Sequence, residues 1–154
     1  MNHRRVLIGM TLLIAVVAGA AREFLFINLN YEIDRVQHHR DVFYAHSLFR
    51  SWVHGFDLRG LLALKWAFAL AFIGLMLALS VVLARTLFGG TRYRKAIIIG
   101  FLAIGLLAFG LHLLSGHLPP LEGISTKLLH LLQYPVFLFF LWASALLSAR
   151  PVEP

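Results

Sequence analysis

The strongest constraint on this chain is a set of long apolar runs. Trp66 to Ala84 carries no charged residue, and Ala96 to Leu114 is broken only by His112. Leu128 to Ala149 has a single polar insert of His130, Gln133 and Tyr134. Each run is about 20 residues long, enough at ~1.5 Å per residue to cross the ~30 Å hydrocarbon layer of a bilayer. Lipid offers the peptide group no hydrogen bond, so helix is the expected conformation of all three. Composition agrees, with 60% hydrophobic and 14% charged residues, against roughly a half and a quarter in soluble domains.

A fourth run, Val6 to Ala21, is shorter and ends at Arg22 and Glu23. Arg4, Arg5, the apolar stretch and Ala18-Gly19-Ala20 have the layout of a cleaved secretory signal. A mature chain normally begins with polar residues, however, and here Phe24-Leu25-Phe26-Ile27 is apolar again. An uncleaved helix over about residues 6–27 is therefore expected, with Arg22 and Glu23 near its outer boundary.

Basic residues set the orientation. Arg4 and Arg5, the acid-free link Arg85, Arg92, Arg94 and Lys95, and Arg150 all fall on one side of a four-span chain. The segment from Arg22 to Arg59 mixes both signs of charge, and the link Ser115 to Lys127 has one lysine. The positive-inside rule then predicts both termini in the cytoplasm, with the protein in the cell inner (plasma) membrane. The fold class expected is an all-α integral membrane protein, one membrane domain over 1–154. It is a four-transmembrane-helix bundle with spans of about 6–27, 61–85, 95–115 and 128–149. An amphipathic helix is expected on the outer side between the first and second spans, within about 31–57. The net charge of +7 reads as topology and attraction to anionic headgroups, not as a nucleic-acid footprint.

Asp41 to Phe56 carries Ala45, Leu48, Phe49, Trp52 and Phe56 on one helical face, with Ser47, Arg50, Ser51 and His54 mostly opposite. This segment reads as a lid over the bundle mouth or as a docking surface formed by Tyr44, Leu48, Phe49, Trp52 and Phe56. Small-xxx-small pairs occur at Ala67/Ala71, Gly74/Ala78, Ser144/Ser148 and Ala145/Ala149, and such pairs let helices approach closely.

The absence of cysteine removes disulfides, thiolate metal sites, iron–sulfur clusters and thiol nucleophiles. Histidine is the residue with chemistry to offer. Of eight histidines, all but His3 fall on the predicted outer side: His38, His39, His46, His54, His112, His117 and His130. His112 closes the third span and His130 opens the fourth, at similar depth. They are candidate haem ligands, or ligands of a divalent metal completed by His117 or Glu122. No HExxH or paired i, i+4 histidine motif accompanies them. His130, Gln133 and Tyr134 share a helical face beside Pro135, which predicts a kinked polar patch facing the bundle interior.

The function expected is that of a non-catalytic accessory or scaffold subunit of a cell-envelope membrane complex. Its partners would be the lipid bilayer and other membrane-protein subunits. The alternative is a membrane redox or metal-binding protein using the outer histidines, and a second is a small exporter using Glu23. The first span makes a direct prediction: the mature protein retains residues 1–20. Intact mass measurement checks this, and a chain beginning at Ala21 would leave three spans and overturn the topology.

Overall fold

The long apolar runs are helical, as expected of them. A computed structural model describes residues 2–39, 44–90 and 92–148, and its regular structure is entirely α-helical. The elements are α1 (Asn2–Gln37), α2 (Ser47–Val53), α3 (Leu58–Phe88), α4 (Arg92–Ser115), α5 (Pro120–Gln133) and α6 (Val136–Ser148). Among them α1, α3 and α4 are each long and apolar enough to cross a membrane. The pair α5 and α6, bent by 58° at its break, has the composition of a fourth crossing.

The surface suits lipid. Leu70, Leu106 and Phe140 are 66%, 70% and 67% exposed, and many other large apolar side chains also point outward. In water such continuous apolar surface would drive association, whereas acyl chains solvate it.

α3 is the central post and touches α1, α4, α5 and α6. Against it α1 presents a buried stripe of Thr11, Ala15, Ala18, Arg22, Phe26, Leu29 and Ile33, spaced by three or four residues. The main core joins Ala15, Ala18 and Phe26 of α1 to Ala69, Phe72, Met76 and Leu83 of α3. Ile97 and Phe101 of α4, Leu132 of α5 and Leu138 of α6 complete it. α4 and α5 are further joined by Ser125 Oγ, which donates to the carbonyl of Ala108 at 2.7 Å.

Helix ends are closed by residues suited to the task. Asp57 Oδ1 accepts from the amide of Gly60 at 2.8 Å and caps the start of α3. Gly89, with φ 70°, ends α3 in the left-handed conformation that glycine adopts without strain. At the same end, Arg4 donates from Nε to the carbonyl of Thr86 at 2.8 Å and from Nη2 to that of Leu87. A cation thus meets the orphan carbonyls of a helix C-terminus and pins the start of α1 to the end of α3.

Several boundaries differ from the sequence reading. α1 runs on to Gln37, past the expected end near residue 27. The extension is held by Leu29 and Ile33, which pack with Phe49, Val53 and Leu61. It is held also by Asn28, whose Nδ2 donates to the Phe24 carbonyl at 2.7 Å and whose Oδ1 accepts from the His46 amide. Glu32 and Arg35 pair one turn apart at 3.0 Å. The amphipathic helix is only Ser47–Val53, and Asp41 to Phe43, where it was expected to begin, lie outside the described residues. So do Thr91 of the α3–α4 turn and residues 149–154, which include the end of the predicted last span. Gly123 to Lys127, part of the link before the fourth span in the sequence reading, are helical within α5.

The break between α5 and α6 has a local cause. The residue before proline is pushed out of the helical region, and Tyr134 is extended at φ −101°, ψ 156°. Pro135 rests against α1, where a Cβ at Gly19 would meet its Cδ at 3.4 Å and its Cγ at 3.8 Å. Alanine fits that space and a longer side chain does not. Gly19→Ala is expected to be near neutral, while Gly19→Leu loses about 1–3 kcal/mol through overpacking. Unfolding in detergent checks this, and equal stability of the two variants would contradict the close approach.

Candidate functional site

Arg22 lies 3% exposed on the buried stripe of α1, one turn beyond Gly19. A guanidinium carries five N–H donors and no acceptor, so burial requires several acceptors around it. Gln133, the last residue of α5, supplies Oε1 to Arg22 Nε at 3.0 Å. Arg22 Nη1 donates to the Tyr134 hydroxyl at 2.8 Å and to Glu23 Oε2 at 3.1 Å. The Tyr134 hydroxyl in turn donates to Glu23 Oε2. The rings of Phe26 and Tyr134 each lie with their centroid 4.6 Å from Arg22 Cζ, so π-faces cover part of the cation. Nη2 alone is buried without an acceptor.

This cluster opens on a cavity of about 510 Å³ between α1, α3, α4 and α5. Its polar lining includes Arg22, Glu23, Lys65, Glu122, His112 and His130. Phe26, Ile27, Leu62, Ala69 and Leu129 supply apolar wall. Trp66 closes one side, its ring centroid 5.8 Å from that of His112 in an edge arrangement. His130 stands in a similar edge contact with Tyr134 at 6.2 Å.

The sequence-predicted site residues separate here. His112, His130 and Glu122 line the same cavity, as similar depth suggested. His117 is exposed in the α4–α5 link and is not among the lining residues. Among the described residues no three His, Asp, Glu or Cys side chains stand close enough to share a metal ion. The set His112, His117, His130 and Glu122 is therefore not gathered into one metal centre among the described residues. Glu23, the residue of the exporter reading, is tied to Arg22 and Tyr134.

The proposed docking residues are also divided. Tyr44, Leu48, Trp52 and Phe56 are exposed, whereas Phe49 is 1% exposed and packs with Val53 against α1 and α3. The α2 face that holds the helix down is thus Phe49/Val53, and Leu48 and Trp52 point away. Arg22 was read in sequence as a boundary residue. The available signal was Arg22's pairing with the Gln133–Tyr134 insert, two polar interruptions in otherwise apolar runs.

Comparison with known proteins brings no relative: no family model, no curated protein and no solved structure matches the chain.

Gln133 tests the accounting of acceptors. Gln133→Leu strands a further donor of a buried cation and is expected to cost about 1–3 kcal/mol. Replacing both partners, Arg22→Met with Gln133→Leu, should recover much of that loss, since an apolar pair avoids the desolvated charge. Denaturation in detergent reads the difference, and a double variant no more stable than Gln133→Leu would break the assignment.

Proposed function

We propose that this chain is a four-span accessory subunit of a cell-envelope membrane complex, with both termini in the cytoplasm, acting through association and not catalysis. The observation that carries the reading is the outward face of α3. Ala63, Ala67, Ala71, Gly74 and Ala78 are all exposed there and fall on one side of the helix. The bundle is built on the opposite side, through Leu61, Ala69, Phe72, Met76, Ser80 and Leu83. Two of the small-xxx-small pairs noted in the sequence, Ala67/Ala71 and Gly74/Ala78, thus face out of the bundle. In a bilayer the gain from helix association comes from close backbone approach and interhelical contact, which small residues permit. A helix face of this kind, several turns long and uncovered by the chain's own helices, supports docking of a transmembrane helix from another subunit.

Leu48 and Trp52 of α2, with Tyr44 and Phe56 on either side, add further exposed apolar surface where α2 packs on the C-terminal part of α1. Purification in mild detergent should recover the chain with a stoichiometric membrane partner. Ala71→Leu or Gly74→Leu should abolish that recovery, because both positions point away from the chain's own core and tolerate bulk there. Leu106→Ala, on the exposed face of α4, should leave it intact. A partner-free monomer, or association indifferent to bulk at residues 71 and 74, would sink the proposal.

A further inference from the structure

α2 is held against α1 and α3 at a definite height. The amide of His46, just ahead of α2, donates to Asn28 Oδ1, and the His46 ring meets that of Phe24 edge-on at 5.8 Å. Tyr44 stands against Tyr31, with ring centroids 6.0 Å apart. Phe49 and Val53 pack with Leu29 and Ile33 of α1 and with Leu61 of α3. The segment thus leans on α1 at its start and leads, through Asp57, into the cap of α3.

The height is counted from the far end of the bundle, where Arg4 is bonded to the carbonyls of Thr86 and Leu87. At ~1.5 Å per helical residue, Phe24 and Asn28 stand about 30 and 36 Å along α1 from Arg4. Leu61 stands about 39 Å along α3 from Leu87, and the two counts agree. Where α1 and α3 cross a bilayer, the first ~30 Å is hydrocarbon and the polar layers bring the total to about 40–45 Å. That puts α2 in the far headgroup layer, just past the acyl chains.

The two flanks of α2 differ at that height. Arg50 and His54 line a cavity shared with Glu32 and Arg35, residues close to the end of α1 and so on the side away from the Arg4 anchor. Leu48 and Trp52 each lie two residues from Arg50, which at roughly 100° per residue puts them on the opposite flank. That flank is turned back toward the hydrocarbon. Leu48 and Trp52 are 62% and 67% exposed on it. Phe24 and Ile27, at the level where His46 meets α1, are exposed as well, so apolar surface of the span leads up to α2.

We infer, resting on the four-span reading, that α2 is an interfacial helix that seats Leu48 and Trp52 in the headgroup–acyl boundary of the bilayer, with Arg50 and His54 turned to water. The occupant of this face is the lipid surface, and association with a partner subunit is left to α3. An indole suits that layer because its apolar body meets acyl chain while its N–H meets ester and phosphate oxygens. A helix with one apolar and one charged flank lies in the interface plane for the same reason.

The chain has 3 tryptophans, so Trp66→Phe with Trp142→Phe leaves Trp52 as the sole reporter. Trp52→Phe with Trp66→Phe leaves Trp142, on α6, as a control for the spans. Each protein would be reconstituted in phosphatidylcholine vesicles whose acyl chains carry bromine either near the headgroup or near the chain end. Trp52 should lose fluorescence to both lipids, and more to the bromine near the headgroup, while Trp142 is quenched by at least one. Trp52 left unquenched beside a quenched Trp142, or quenched more by the deeper bromine, would overturn the interfacial seating. An unquenched Trp142 would instead defeat the four-span reading, and the seating with it.

A second measurement keeps all three tryptophans. The chain has no cysteine, so Leu48→Cys and His54→Cys each introduce a single thiol, one on each flank of α2. With a charged maleimide on both faces of the vesicle, Leu48→Cys should react several-fold more slowly than His54→Cys. Equal rates would show the Leu48 flank open to water, as a docking surface awaiting a partner subunit would be, and would overturn the assignment to lipid.

Discussion

A buried guanidinium is tolerable only where acceptors are brought to it, and Arg22 finds them because the last apolar stretch is broken at Pro135. An unbroken helix would point Gln133 and Tyr134 along one continuous axis. The extended backbone of Tyr134 instead lets α5 end at Gln133 beside the Arg22 Nε while the Tyr134 ring lies over its Cζ. Gly19 leaves room for the approach, since the Pro135 ring lies where a side chain longer than alanine would reach. Gly19 and Arg22 lie one turn apart on α1, so one side of that helix supplies both the close contact and the charge. Neither feature stabilises the bundle without the other. Removing an acceptor exposes the cost of the buried cation, and filling the glycine pushes the acceptors away.

The opposite end of α1 is fixed by a second arginine with a different task. Arg4 serves carbonyls at the C-terminus of α3, groups that any helix end leaves unsatisfied. Between the two arginines the contact with α3 is made by small and apolar residues, Ala15 and Ala18 among them. If these helices span a bilayer, as their length and apolarity allow, lipid supplies no hydrophobic drive for such packing, and close approach with a few directed bonds specifies the arrangement. Ser125 to the Ala108 carbonyl is one such bond between neighbouring helices. The polar contacts concentrate at the two ends of α1, and they define register more sharply than the apolar middle can.

The apolar runs of lipid length, the kink at Pro135 and the polar character of Gln133 and Tyr134 were legible because each rests on local physics. Missing water forces helix, proline removes a donor, and a buried amide needs a partner. What could not be read was which face of each helix looks inward. In a soluble protein the polar face marks the outside, but here Ala67 and Ala69 are equally apolar, one exposed and one buried. The extension of α1 to Gln37 was hidden for a related reason. Asn28, Asn30 and Glu32 resemble a helix exit until Asn28 is seen to accept the His46 amide, a contact 18 residues away. Arg22 likewise looks like a boundary marker in isolation, and its acceptor lies 111 residues downstream.

α3 carries the outward face on which the functional reading rests. Lys65 faces the cavity, and two residues later Ala67 lies on the small-residue side pointing the other way. The helix is unbroken from Leu58 to Phe88, so both faces belong to one continuous rod.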